Sequence, residues 1–279
     1  MIGVTGATGE VGGRVARRLA RAGFAQRLIV RDMSRAPVLP GAESMEFAGY
    51  ADADGMRKAC AGISTLFLAS ARESEDRVEQ HKLAIDAARS AGVERIVYLS
   101  IIGAAPDATF TFARDHFHTE QHIRTSELDF TFSRQNLYMD LLPLLGGEDG
   151  VIRGPADDGR LAPVLRDDVA DALLTMLTQP GHGMATYELT GPAAFTLTEV
   201  AAEVSRFSDR PVRFHNETIE EARKSRAAYG APTWELAGWI STYTAIAAGE
   251  YDVVTDHVQR LTGHRPVSVR EFLSREADN

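Results

Sequence analysis

The sequence predicts an α/β protein, with a Rossmann-type doubly wound parallel sheet and a small, mainly helical C-terminal lobe. Two observations predict it: a glycine-rich turn follows the first apolar run, and short β-rich runs alternate with amphipathic segments through the N-terminal half. Parallel strands joined in this way carry helices on both faces of the sheet. We therefore expect a dinucleotide-binding domain at residues 1–150 and a substrate-side lobe, partly interleaved with the sheet, at residues 151–279.

The first turn contains the residues that a dinucleotide site needs. It comprises Thr5-Gly6-Ala7-Thr8-Gly9-Glu10-Val11-Gly12 and opens a stretch with helical periodicity. Gly6 allows a tight turn, Gly9 lets the backbone approach the phosphates, and Gly12 lets helix and strand pack closely. A pyrophosphate would bind the free amides at the start of the helix. The predicted cofactor contacts here are Gly6, Thr8, Gly9, Glu10, Val11 and Gly12.

The elements that follow are predicted from apolar periodicity and from turn residues. Strands are expected at Arg27–Val30, Met45–Phe47, Thr65–Ala69, Arg95–Leu99, Phe130–Ser133, Arg160–Leu165 and Tyr187–Thr190. Helices are expected at Asp54–Ala61, Asp76–Ala91, Phe112–Glu127 and Asp167–Leu177. A serine or threonine three residues before a glutamate predicts capped helices that start near Thr196, Thr218 and Ser268.

The end of the second strand bears on the choice of nicotinamide dinucleotide. An acidic residue there binds ribose hydroxyls, whereas an arginine favours a 2′-phosphate. The buried run ends in Arg31, then Asp32, with Arg35 one turn later and Arg14 in the first helix. The arginines favour NADPH, although they could simply be solvated, and Asp32 keeps NADH possible.

Composition excludes several classes of protein. The 279 residues are 44% apolar and 25% charged, which is typical of a globular chain. A net charge of -9 disfavours nucleic acid and anionic membrane partners. Cys60 is the only cysteine, so disulfides within the chain and multi-cysteine metal sites are excluded. No apolar stretch is long enough for a membrane span, and the first strand starts at Met1, so we expect a cytoplasmic protein without a signal peptide that could form a homodimer.

Taken together, these residues resemble the NmrA-like atypical short-chain dehydrogenase/reductases, and most closely their NAD(P)H:quinone oxidoreductase type 2 subgroup. The resemblance covers nearly the whole chain. Besides the glycine turn, it rests on Val30-Arg31-Asp32, Arg35, Gln80-His81, Gly92-Val93, Tyr98-Leu99-Ser100, His116-Phe117-His118-Thr119-Glu120, Arg134-Gln135-Asn136, Asp168-Val169-Ala170, Tyr187-Glu188-Leu189-Thr190-Gly191 and Leu261-Thr262-Gly263.

The resemblance implies further cofactor contacts. Arg31 would bind the dinucleotide, the segment Ala69, Ser70 and Ala71 would pass beneath adenosine and pyrophosphate, and Ser100 and Ile101 would lie near the nicotinamide. The chain departs from its relatives at Gly49-Tyr50, where they often carry an aspartate for the adenine amino group. Arg35 and Tyr50 complete the predicted cofactor site.

The proton relay of typical short-chain dehydrogenases is missing. In those enzymes a lysine four residues after a tyrosine lowers the pKa of the tyrosine, and no tyrosine of this chain has a lysine at that spacing. His116 and Glu120 lie one helical turn apart at the corresponding place. A hydrogen bond between them would raise the pKa of His116 and make it a proton donor. Alternatively, the pair only stabilises the helix or shapes the pocket.

No metal site is predicted. His118 and His122 have a spacing that a zinc ion could use, but no third ligand is evident in the sequence.

A weak acid favours an acceptor that spreads negative charge over a conjugated ring, because an ordinary ketone would need a stronger proton donor. The leading hypothesis is an NADPH-dependent reductase of quinones or similar aromatics, working without flavin or metal. Two alternatives remain: a tailoring oxidoreductase or oxygenase of a polycyclic aromatic polyketide, and a non-catalytic NAD(P)-sensing regulator. The candidates for the substrate wall are Phe112, Gln135, Asn136, Tyr138, Trp234 and Trp239.

Overall fold

A computed structural model describes residues 1–277, so the last two residues of the predicted C-terminal lobe lie outside the described part. Its strands are β1 Ile2–Thr5, β2 Gln26–Val30, β3 Ala42–Glu46, β4 Thr65–Leu68, β5 Arg95–Ile101, β6 Asp129–Gln135, β7 Val151–Gly154, β8 Arg160–Leu161, β9 Ala185–Leu189, β10 Phe195–Thr196 and β11 Arg213–Asn216. Its α-helices are α1 Glu10–Arg21, α2 Ala53–Cys60, α3 Arg77–Ser90, α4 Thr111–Thr125, α5 Arg166–Thr178, α6 Leu197–Arg206, α7 Ile219–Arg226, α8 Thr233–Ala247, α9 His257–Thr262 and α10 Val269–Ala277. Short 3-10 helices lie at Met33–Arg35, Met139–Leu144 and Ala227–Tyr229.

The main sheet has seven strands in the order β3-β2-β1-β4-β5-β6-β9. The pairings among β1 to β5 are parallel, and Val4 of β1 lies opposite Leu28 on one side and Phe67 on the other. The strand order reverses between β1 and β4, the position at which doubly wound sheets bind their ligands. The predicted Rossmann-type sheet is confirmed.

Both faces of this sheet are covered. Ile29, Leu66 and Ile96 belong to one buried cluster with residues of α2 and α3. Because neighbouring residues of a strand point to opposite faces, the equally buried Leu28 and Phe67 need cover on the other side. Helices α1 and α5, which pack against each other, provide it.

The chain forms two compact units. The first comprises Met1–Ile101, Asp115–Arg134 and Arg166–Tyr187, and it contains the strands that carry the glycine turn. The second comprises Ile102–Arg114, Gln135–Leu165 and the chain from Glu188 onward.

The second unit is mainly helical, as predicted. It holds α6 to α10 together with two small sheets, in which β7 pairs in parallel with β11 and β8 pairs antiparallel with β10. Thr196 and Thr218 form capping boxes at the starts of α6 and α7. Ser268 makes the same reciprocal pair with Glu271 before α10, at 2.8 and 3.3 Å. None of the helices within residues 1–277 combines the length and the apolar character needed to cross a bilayer.

Candidate dinucleotide site

The glycine turn has the backbone geometry that its sequence predicts. Gly6 has a φ of +64°, which favours glycine. A Cβ atom added to Gly12 would lie 2.2 Å from the carbonyl oxygen of Gly6, so the start of α1 packs directly on the turn. Gly9 precedes α1 in an extended conformation, and its amide donates to the Gly6 carbonyl at 2.9 Å. The turn and the first residues of α1 form a cradle that suits a phosphate.

A cavity of about 490 Å³ opens beside this turn, within the first unit. That volume lies in the range of small-molecule sites. Its wall follows the carboxyl ends of β1 to β4 and consists of Gly6, Thr8, Gly9, Ile29, Val30, Arg31, Phe47, Ala48, Gly49, Tyr50, Ala51, Ala69, Ser70, Ala71, Arg72, Glu73, Ser74 and Gln80.

Eight of the predicted cofactor residues line the cavity: Gly6, Thr8, Gly9, Arg31, Tyr50, Ala69, Ser70 and Ala71. The other six predicted contacts, which do not line it, are Glu10, Val11, Gly12, Arg35, Ser100 and Ile101. Val11 is buried, whereas the Glu10 carboxylate forms an ion pair with Arg14, with 2.5 Å between Glu10 Oε2 and Arg14 Nη1. The cavity wall also contains Phe47, Ala48 and residues 72–74, which were not among the predicted contacts, although their places after β3 and β4 could have indicated them.

The charged groups near the end of β2 differ in their freedom to bind a ligand. Arg31 is exposed and lines the cavity. The Asp32 carboxylate accepts from the Ser34 hydroxyl at 2.6 Å and from the Ser34 amide at 2.9 Å, and these bonds hold the pKa of Asp32 below its usual range. Arg14 pairs with Glu10 and Asp167, so it does not add the free positive charge that we predicted.

The Tyr50 side chain, which follows β3, hydrogen-bonds to residues at the carboxyl ends of β1 and β4. Its hydroxyl lies 2.7 Å from the Thr5 hydroxyl and 2.6 Å from the Ala69 carbonyl oxygen, and the Ala69 amide donates to Thr5 at 2.9 Å. Burial raises the pKa of Tyr50, so the phenol stays protonated. Gly49 before it has a φ of +129°, a backbone conformation that an aspartate would rarely adopt. Gly49 and Tyr50 both line the cavity, and the Tyr50 hydroxyl links this part of its wall to the ends of β1 and β4.

His116 and Glu120 do not form the predicted hydrogen bond. His116 Nε2 lies 3.2 Å from Arg77 Nη2, and Nδ1 lies 2.9 Å from the Tyr98 hydroxyl. Because a guanidinium only donates, Nε2 must accept, and Nδ1 carries the proton. Burial, with Arg77 next in effect, lowers the pKa of His116 well below its usual value. The expectation that Glu120 raises this pKa is wrong.

Glu120 is fully buried and bonded elsewhere. The Ser100 hydroxyl donates to its Oε1 at 2.6 Å, and Arg134 donates to both carboxylate oxygens at 2.8 and 2.5 Å. Ser100 lies on β5 and Arg134 on the neighbouring strand β6, and both donate to the carboxylate of Glu120 on α4. The hydroxyl proton of Ser100 is consequently committed to Glu120.

The two remaining histidines of α4 point to different partners. His122 pairs with Asp86 at 2.8 Å, while His118 is exposed and its ring contacts Phe117.

The predicted substrate residues all belong to the second unit, and several have packing roles there. Phe112 contacts the Trp234 ring at 5.9 Å, and Trp239 contacts Tyr229 at the same distance. The Asn136 side chain donates to the Tyr251 carbonyl at 3.0 Å and accepts from the Leu137 amide. Gln135 is buried, and Tyr138 forms a backbone bridge to Val164.

This unit has a cavity of its own, of about 770 Å³. It is lined by Leu145, Gly147, Glu148, Asp149, Val151, Arg153, Ser225, Arg226, Tyr229 and Tyr243, a set that contains none of the six predicted substrate residues.

Comparison with known proteins identifies the family of the chain. Residues 6–180 match the family model described as NAD(P)H-binding, which covers more than half of the chain and includes the glycine turn and the cavity wall. The chain belongs to this family.

Similar proteins extend over the whole chain. Quinone oxidoreductase 2 of Escherichia coli is 31% identical, over 98% of each chain. A crystal structure of the E. coli NADPH-dependent quinone oxidoreductase in complex with NADPH has a TM-score of 0.91 at 28% identity and covers 99% of both chains. An NAD(P)H azoreductase from Xenophilus azovorans is 30% identical over 99% of this chain and 98% of its own. A triphenylmethane reductase from Citrobacter has a TM-score of 0.87 at 31% identity, over 100% of this chain and 99% of its own.

These matches confirm the predicted membership of the NmrA-like atypical short-chain dehydrogenase/reductases, near the quinone oxidoreductase 2 branch. The chain is an NAD(P)H-dependent oxidoreductase.

Proposed function

We propose that this oxidoreductase uses NADPH to reduce quinones and related conjugated aromatic compounds by direct hydride transfer. The observation that carries the proposal is the cavity of about 490 Å³ whose wall joins the glycine turn to Arg31. A dinucleotide that binds against this wall would supply the hydride from its reduced nicotinamide.

The preference for NADPH rests on two neighbouring side chains. Arg31 lies in the cavity wall with its charge available for a 2′-phosphate. The Asp32 carboxylate, which could bind the ribose hydroxyls of NADH, accepts both Ser34 hydrogen bonds on its Oδ1, and these bonds orient it toward Ser34. The positive charge of Arg31 in the cavity wall supports binding of the phosphorylated dinucleotide.

The proposed substrate class is supported by two side chains of the first unit, His116 and Ser100, which are weak proton donors. His116 is neutral with both ring nitrogens engaged, and the Ser100 hydroxyl donates to Glu120. An acceptor that needs a strong proton donor suits these residues poorly, whereas a conjugated ring can hold the negative charge until solvent protonates it. The named relatives reduce quinones, azo compounds and triphenylmethane dyes, which are all conjugated acceptors.

The test is stopped-flow absorbance with the purified chain, without added flavin or metal. Protein with bound NADPH is mixed with menadione, an anthraquinone, an azo dye, a triphenylmethane dye and, as a control, an unconjugated ketone. We expect rapid loss of the reduced-nicotinamide band with one or more conjugated acceptors and none with the ketone. Equal oxidation by the ketone, or none by any conjugated acceptor, would refute the substrate class. Tight NADPH binding without oxidation would instead favour the sensing hypothesis.

A further inference from the structure

His81 is fully buried behind the wall of the first cavity, on α3, and it does not line the cavity itself. Its Nε2 accepts from the amide of Ala71 at 2.9 Å. Its Nδ1 lies 2.9 Å from the Thr119 hydroxyl on α4. The imidazole therefore connects a residue of the cavity wall to two helices of the same unit.

These contacts determine the protonation of the ring. Nε2 must be unprotonated because it accepts from a backbone amide, so Nδ1 carries the proton and donates to Thr119. The Thr119 hydroxyl donates to the Asp115 carbonyl oxygen at 2.8 Å, so the Thr119 oxygen can accept a hydrogen bond from His81. Burial, together with the nearby Arg77 charge, lowers the pKa of His81 to about 3, consistent with a neutral ring.

The ring is also fixed in orientation. It stands edge-on to the Tyr50 and Tyr98 rings, each with a centroid distance of 5.8 Å. Tyr50 lines the cavity, and Tyr98 is fully buried in β5. These ring contacts and the two hydrogen bonds define the orientation of the imidazole.

The segment that His81 holds has little other support. Residues 69–74 all line the cavity and lie outside any helix or strand. Among the described residues, the side chains that hydrogen-bond to the backbone of this segment are Thr5 and Tyr50 at Ala69, and His81 at Ala71. At the far end of the segment, the Ser74 carbonyl accepts from the Arg77 amide at 3.2 Å, and the Ser74 hydroxyl donates to Asp76 at 2.7 Å. His81 therefore holds the middle of the segment, between Ala69 and Ser74.

We infer that His81 is a positioning residue for the dinucleotide: through the Ala71 amide it holds residues 69–74 in the conformation that binds the cofactor. Holding a binding loop in its bound conformation raises affinity, because the loop loses less freedom when the ligand arrives. This inference rests on the proposed placement of the dinucleotide against residues 69–74. The measurements below need no substrate, so failure of the quinone proposal would not affect them.

Two variants of similar polarity separate positioning from packing. In His81→Gln, the side-chain oxygen can occupy the place of Nε2 and accept from Ala71. In His81→Asn, the shorter side chain reaches only the place of Nδ1, so the Ala71 amide loses its acceptor. We expect the dissociation constant of NADPH to rise about tenfold or more in His81→Asn and to stay within about threefold of the wild type in His81→Gln. His122→Gln, which removes a histidine bonded to Asp86 at the helix surface, should leave the dissociation constant unchanged.

The affinities are measured by fluorescence titration, alongside thermal unfolding of each variant without cofactor. Equal affinities for the asparagine and glutamine variants would overturn the inference. Histidine ¹⁵N NMR on the wild type provides a test that does not depend on any variant folding. We expect His81 to be the Nδ1–H tautomer, with and without NADPH, and an Nε2–H tautomer would overturn the inference.

Discussion

Two stretches of the same sheet edge contrast in how they use their polar groups. At the carboxyl ends of β1 and β4, small residues and a glycine turn border an open cavity, and Arg31 nearby is exposed. At the ends of β5 and β6, Ser100, Glu120 and Arg134 saturate one another inside the protein. The first stretch retains its binding capacity for a ligand, whereas the second uses its polar groups to stabilise the fold. If the nicotinamide binds beside the second stretch, as proposed, hydride transfer there requires an acceptor that needs little help from acids.

The largest expected effect comes from Gly12→Val, which disrupts the packing of α1 on the glycine turn in the first stretch. The new Cβ would lie 2.2 Å from the Gly6 carbonyl oxygen and 2.9 Å from that of Thr5, so α1 must shift away from the turn. We expect a loss of about 3 kcal/mol in the free energy of unfolding, together with loss of measurable NADPH binding. Gly23→Ala is the control, because nothing lies within 4 Å of its Cβ and only its φ of +77° is unfavourable, at about 1 kcal/mol. Wild-type affinity in Gly12→Val, measured by fluorescence titration, would contradict the assigned cradle.

The second stretch is tested by Glu120→Gln. This change removes the buried negative charge that faces the partly buried Arg134 guanidinium, so we expect the free energy of unfolding to fall by about 3 kcal/mol. The matched control is Glu79→Gln on α3, where an exposed pair with Lys82 should contribute less than about 0.5 kcal/mol. Urea denaturation measures the free energy of unfolding of the wild type and of both variants. Equal losses would mean that the second stretch is not held by this ion pair.

Cofactor choice gives an effect of intermediate size. Arg31→Ala should raise the dissociation constant of NADPH roughly 10- to 100-fold, the range of one charge-assisted hydrogen bond, and change that of NADH less than about threefold. Arg35→Ala removes an exposed arginine that does not line the cavity, so it should have little effect on either. Parallel titrations with both dinucleotides measure the ratio. Equal weakening of NADPH and NADH would show that Arg31 does not contact the 2′-phosphate.

The smallest effect concerns His116. Its pKa is depressed in the folded protein, so the unfolded chain alone takes up a proton as the pH falls below about 6.5. The stability contribution is complete above that pH and declines below it, by about 1.4 kcal/mol at pH 5.5. His116→Gln should make this part of the stability curve less steep, and the slope that remains should include the contribution of His81, whose pKa is also depressed. Between pH 6 and 9 the wild type and the variant should have turnover profiles of the same shape, and an acid-dependent limb lost in the variant would restore His116 as a proton donor.

The same contrast explains what the sequence could predict. The glycines at positions 6 and 12 determine backbone geometry within a few residues of themselves, so the turn and α1 were predictable from spacing alone. The partners of Glu120 are 20 and 14 residues away in the chain, and those of His116 are 18 and 39 residues away. These contacts depend on which strands and helices become neighbours, which the spacing of His116 and Glu120 does not reveal. The role of Asp32 was partly predictable from the sequence, because an aspartate two residues before a serine often caps a turn.

The central claim is that this chain transfers hydride directly from NADPH to a conjugated acceptor without an imidazolium acid. The most direct measurement is single-turnover oxidation of bound NADPH by menadione, with hydrogen or deuterium at one face of the nicotinamide C4 and no added flavin. We predict that deuterium at the transferred face slows the oxidation of NADPH. The size of this isotope effect should be the same across pH 6 to 9. Bound NADPH that is not oxidised, or oxidation at a rate that deuterium at neither face changes, would contradict it.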